Sequence, residues 1–103
     1  MKKIFEQFCV SEGLPKPVAE YKFHPKRKWR IDYYFERDNQ KVALEVEGGV
    51  WTRGRHTRGS GFLKDIEKYN QLAVHGIYLV RCVPTDLLKV STINLLKSIF
   101  NEQ

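Results

Sequence analysis

Three carboxylates, Asp32, Glu45 and Glu47, are the residues whose types and spacing could do chemistry. Asp32 opens the run RIDYYFE (30–36), and the two glutamates interrupt VALEVEGGVW (42–51), an apolar run that otherwise reads as a buried β-strand. Between the runs lies RDNQ (37–40), with Asp38-Asn39 as a two-residue hairpin loop. Pairing about that loop sets Arg37 against Gln40, Glu36 against Lys41, Tyr34 against Ala43 and Asp32 against Glu45. Side chains alternate along a strand, so Glu45 and Glu47 share a face and Asp32 joins them there. At roughly 5 Å and an effective dielectric of about 20, each such pair repels by about 3 kcal/mol. Either one carboxyl pKa rises or a cation is recruited. A hard divalent ion such as Mg2+, with Mn2+ as its substitute, takes oxygens from one or two carboxylates and keeps positions for water and phosphate. Two blander arrangements compete. The glutamates could be solvated on an edge strand or paired with basic residues, or a register slip could swing Asp32 to the other face.

Basic segments flank these acids. TRGRHTRGSG (52–61) gathers Arg53, Arg55, His56 and Arg58 among glycines. Guanidinium forks match phosphate oxygens, and glycine lets the backbone approach a sugar-phosphate chain. HPKRKW (24–29) adds Lys26, Arg27 and Lys28 as a second phosphate clamp, with Trp29 read as core. His24 and His75 lack ligand partners at a useful spacing, and no Cys/His set fits structural zinc.

The elements that must position these residues follow from periodicity. Ile4, Phe5, Phe8 and Cys9 predict a helix over 2–12, stopped by Gly13 and Pro15. VAEYKFH (18–24), WRIDYYFE (29–36) and KVALEVE (41–47) predict three strands, the last closed by Gly48-Gly49. Phe62, Ile66, Tyr69 and Ala73, with Leu72 beside them, predict a helix ending at Gly76. IYLVRCV (77–83) is nearly all apolar apart from Arg81, as a strand covered on both faces would be. Ile93, Leu96 and Phe100 mark a last helix over about 90–102. The expected class is therefore α/β, one domain over 1–103, in the order α-β-β-β-α-β-α around a mixed sheet flanked by helices.

Composition bounds the function. The 103 residues are 42% hydrophobic with a formal charge of +6, which excludes a disordered tail and favours a polyanionic partner. No window approaches the roughly 20 apolar residues of a membrane span, and MKKIFEQFCVSEG fails as a secretion signal. The expectation is a soluble cytoplasmic protein whose Cys9 and Cys82 are free, buried thiols.

An aspartate opening the second strand, then Glu-x-Glu on the third after a short hairpin, resembles the signature of the PD-(D/E)XK nuclease superfamily. The order α-β-β-β-α-β is also that of its core. The wider run HPKRKWRIDYYF…VALEVEGGVWTRGRHTRG…FLKDIEKYNQLAVHGIYLVR is similar to small phage and prophage endonucleases related to very-short-patch-repair enzymes, over about residues 18–83. The resemblance implies a Mg2+-dependent endonuclease that hydrolyses DNA phosphodiester bonds, in a bacterial host or encoded by a phage. It assigns Asp32 and Glu45 as metal ligands, with the Val46 carbonyl as a third protein oxygen. The family's usual lysine position holds Glu47, which acts there as general base or second-metal ligand. Alternatively a lysine reaches in from the following helix, where Lys64 and Lys68, four apart, share a face. Glu6 on the first helix and Glu20 on the first strand compete for the family's upstream acid. His56 is either a proton donor, as histidines are in the repair relatives, or a surface residue of the basic loop. Two other readings stay open: a junction resolvase working as a homodimer, with the apolar stripe of the last helix as its contact, and a non-catalytic nucleic-acid-binding module. RNA stays open as a substrate.

Overall fold

The computed structural model describes residues 2–48 and 59–100, with residues 59–62 and 64 described as backbone only. Helix α1 (Lys2–Ser11) turns Phe5 and Cys9, four apart, into the core. It ends in a Schellman arrangement: Gly13, at φ +87°, and Leu14 donate their N–H groups to the Val10 and Cys9 carbonyls. Strands β1 (Val18–Lys22), β2 (Arg30–Arg37) and β3 (Gln40–Val46) form an antiparallel meander. Helix α2 (Gly59–Val74) then crosses over to β4 (Ile77–Cys82), which lies parallel to β3. A 3-10 turn (Pro84–Asp86) leads into helix α3 (Val90–Phe100). The result is a single-domain α/β fold in the expected order, with a mixed sheet ordered β1-β2-β3-β4.

The hairpin register follows the turn. Asp38 and Asn39 both take positive φ, 50° and 69°, which suits a tight two-residue loop, and the ladder runs from Arg37↔Gln40 to Tyr33↔Leu44. Two cores flank the sheet. On one face Phe5 and Cys9 of α1, and Ile93, Leu96 and Phe100 of α3, pack on Tyr33, Phe35, Val42, Leu44 and Val80. On the other, Leu72 of α2 packs on Ile31, Tyr34, Ala43 and Ile77.

Five expectations change. β4 is an edge strand, and Tyr78 stands 60% exposed, so an apolar run does not mean that both faces are covered. Within α2, Leu72 is buried and Tyr69 half-buried while Ile66 and Ala73 face out; the helix is rotated so that Lys68 also lies inward. The stripe of α3 is spent inside the protein, with Ile93 and Leu96 at 0% exposure, so it cannot be a dimer contact. Trp29 is half-buried rather than core, stacked against Phe23 with the Arg27 guanidinium 4.0 Å from its ring centre. Both cysteines are free; Cys9 is buried, which pushes its thiol up to about 12, whereas Cys82, at the end of edge strand β4, is half-buried rather than buried. No described helix is long and apolar enough to cross a membrane.

Candidate active site

The ladder between β2 and β3 gives way one residue beyond Tyr33↔Leu44. There the side chains of Asp32 and Glu45 take over the hydrogen bonding. The Asp32 N–H donates to Glu45 Oε1 at 3.0 Å, and the Val46 N–H donates to Asp32 Oδ2 at 2.8 Å. Each carboxylate thus satisfies the backbone of the opposite strand, and together they fill the wedge where the strands part. The expected juxtaposition of Asp32 and Glu45 is present, but as a reciprocal clasp.

The alternation of β2 slips at this point. Ile31 and Tyr33, two apart, lie in different cores on opposite faces of the sheet. Opposite Asp32, between the pairs Ala19↔Tyr33 and Tyr21↔Ile31, sits Glu20 with φ 52°. A side chain in the left-handed region costs about 1–2 kcal/mol, and such strain gathers at functional positions. The slip divides the acids. Glu45 and Glu47 meet α2 through Lys68 and Tyr69, whereas Asp32 lines a groove of about 390 Å³ with Lys2, Glu20, Tyr33, Val46, Pro84 and Leu87. Among the described residues no group of three His, Cys, Asp or Glu side chains is placed to hold a metal ion. The one-face trio read from strict alternation is therefore a clasped pair plus a separately anchored Glu47.

Glu45 is 5% exposed, and burial raises its carboxyl pKa. Two contacts oppose that rise: an ion pair with Lys68, whose side chain is 14% exposed, and the Asp32 N–H. The helix lysine read as an alternative to the family position does reach the site. Lys64 has its side chain outside the described residues. Glu47 is held by Arg81, whose Nε donates at 3.0 Å, and by the Tyr69 hydroxyl at 3.2 Å. Glu20 shares the Asp32 groove and pairs with Lys2 and Arg30, which lower its carboxyl pKa. Glu6 pairs instead with Lys16 at 3.6 Å and lines an adjoining hollow that shares Lys2 and Tyr33 with the Asp32 groove but not Asp32 itself. Of the two candidate upstream acids, only Glu20 lies beside Asp32.

Lys26, Arg27 and Lys28 form an exposed turn between β1 and β2. His24 Nδ1 accepts from the N–H groups of Lys26 and Arg27 at 3.1 and 2.9 Å, which fixes the turn. Arg27 also donates to Glu67 at 3.3 Å, tying the turn to α2 one residue from Lys68. Arg53, Arg55, His56 and Arg58 lie outside the described residues. Sequence reasoning missed Arg81 and Tyr69. The signal for Arg81 was its place as the sole charge in β4; Tyr69 carried none, because an aromatic on a helix face reads as core.

Three of the four carboxylate oxygens at the wedge already accept: Glu45 Oε1 from the Asp32 N–H, Glu45 Oε2 from the Lys68 ammonium and Asp32 Oδ2 from the Val46 N–H. No protein-family model, curated protein or solved structure matches this chain at a significant level.

Proposed function

We propose that the protein is a divalent-metal-dependent endonuclease that hydrolyses phosphodiester bonds in DNA. The single observation that carries this reading is the buried clasp of Asp32 and Glu45 with the Lys68 ammonium against it. Glu45 is nearly inaccessible to water, and a buried charge is costly unless partners such as the Asp32 N–H and the Lys68 ammonium offset it. Asp32 and Glu45 would hold Mg2+, with Mn2+ as substitute. The Val46 carbonyl would be a third oxygen, since its N–H already faces the same opening and a strand residue directs both groups to one neighbour. When bound, the ion supplies Lewis-acid polarisation of the phosphate and a more acidic water.

The remaining steps belong to the chain. Lys68 takes the part of the family's lysine, orienting the attacking water and stabilising charge on the phosphoryl oxygens. Glu20, beside Asp32, is the upstream acid. The turn at Lys26, Arg27 and Lys28 binds flanking phosphates, with the basic segment at Arg53, Arg55 and Arg58 as a second contact.

A second reading has one observation in its favour: Lys68 already neutralises Glu45, as it would in a non-catalytic DNA-binding module. Incubation with supercoiled, linear, single-stranded and branched DNA, with and without Mg2+ or Mn2+, separates the two. A nuclease cuts only with metal, and Glu45→Ala reduces the rate by at least about 100-fold. Wild-type cutting by Glu45→Ala would dispose of the nuclease reading, and salt-sensitive binding without cutting would establish the second. Preference for branched DNA would identify a resolvase.

A further inference from the structure

Arg81, with Glu47 and Tyr69 that hold it, has no role in the scheme above. It is the only charged residue of β4 and stands in register beside Glu45. Its Nε donates to Glu47 Oε2, the oxygen that also accepts the Tyr69 hydroxyl. Its guanidinium carbon lies 4.9 Å from the centre of the Tyr69 ring. Glu47, just past the end of β3, and Tyr69 of α2 therefore fix the guanidinium of β4 through a carboxylate and an aromatic face. Burial, then Glu47 and Glu45, push the Tyr69 hydroxyl above its ordinary range, which keeps it a neutral donor to Glu47.

A surface ion pair formed for stability alone is worth little and needs no such support. Half of the Arg81 side chain, 52%, remains in solvent at the end of the sheet where Asp32 and Glu45 lie. A guanidinium carries five N–H donors in a rigid plane. Anchoring it through Nε sets that plane, and among the described residues the Nη end donates no hydrogen bond, although Asp65 acts on its charge from a distance. Two Nη groups in a fixed plane match two oxygens of a phosphate.

We infer that Arg81 is a phosphodiester-binding residue of this site, oriented by Glu47 and Tyr69. Glu47 thus serves as the anchor of Arg81 and not as metal ligand or general base. The inference rests on the nucleic-acid reading of the site and gives the family's lysine position a new use. The carboxylate there carries a cation from the neighbouring strand.

The test is fluorescence anisotropy with a labelled DNA duplex in EDTA, so that binding is read apart from cleavage. Arg81→Met should weaken binding by about 10-fold and reduce the slope of log affinity against log salt by about 1. Arg81→Lys keeps the charge and the fold; it should keep the slope while losing several-fold in affinity. Lys16→Met, an equal loss of charge at a pair that takes no part in the clasp, should change affinity by less than about 2-fold. A separate Mn2+ titration by electron paramagnetic resonance should find Glu47→Gln within about 2-fold of wild type. Equal affinity and slope for Arg81→Met and wild type would overturn the inference, as would loss of Mn2+ binding in Glu47→Gln. Wild-type protein that binds no DNA would instead overturn the nucleic-acid reading itself. Binding lost in Arg81→Met by a protein that never cuts supports the inference and rejects only the nuclease.

Discussion

Glu45 and Lys68 are the residues on which the site turns. The carboxylate is buried on a strand and the ammonium comes from a helix, with 7% and 14% of their side chains exposed. Removing one member of a buried pair leaves an unpaired charge and costs about 3–5 kcal/mol. Lys68→Met should therefore lower stability by about that much. A divalent cation can replace the lost charge, so Mg2+ should raise the melting temperature of Lys68→Met more than that of wild type. Equal shifts in a thermal melt would mean that the cation does not sit at Glu45. Protons compete for the same oxygens. Because burial raises the Glu45 pKa, the carboxylate stays protonated to a higher pH than an exposed glutamate. Mn2+ affinity should accordingly strengthen as pH rises through that raised value, fade as pH falls through it, and be accompanied by proton release. Calorimetry in buffers of different ionisation heat reads both; Mn2+ binding with neither pH dependence nor proton release would exclude Glu45 as a ligand.

At the scale of elements, the β2–β3 hairpin sets the site, and its turn sets the hairpin. Asp38 and Asn39 occupy left-handed backbone that only a few residue types tolerate. Asn39→Val should destabilise the protein by about 1–2 kcal/mol, whereas Asn39→Gly should be neutral or stabilising, both read by urea denaturation. This element was legible because turn chemistry and alternation agree on one register. The facing of Asp32 was not. Alternation is a rule for unbroken ladders, and this ladder breaks at Asp32, where Glu20 takes φ 52° on one side and Glu45 invades on the other. The rotation of α2 was equally hidden. Ile66 and Leu72 are both apolar, and only the pull of Glu45 on Lys68 and the pocket for Leu72 decide which turns inward.

Over the whole molecule, a formal charge of +6 on 103 residues provides the long-range attraction that a polyanion feels first. Each neutralised phosphate contributes a slope of about −0.9 in log affinity against log salt. Replacing Lys26 and Lys28 together by Gln should therefore reduce the slope by nearly 2 and leave the melting temperature almost unchanged, since both are exposed. An unchanged slope would place the nucleic-acid path elsewhere. The architecture also restricts assembly. With the α3 stripe buried in the core, any second copy must use another surface.

The chain by itself determined the order of elements, the hairpin register and the meeting of Asp32 with Glu45, because these follow from local turn chemistry, short-range periodicity and the pleat. Tertiary structure alone decided that Lys68 neutralises Glu45, that Arg81 and Tyr69 take Glu47, and that Glu20 rather than Glu6 stands beside Asp32. Those pairings join residues far apart in sequence, where helix rotation and the parting of two strands choose partners that no spacing encodes.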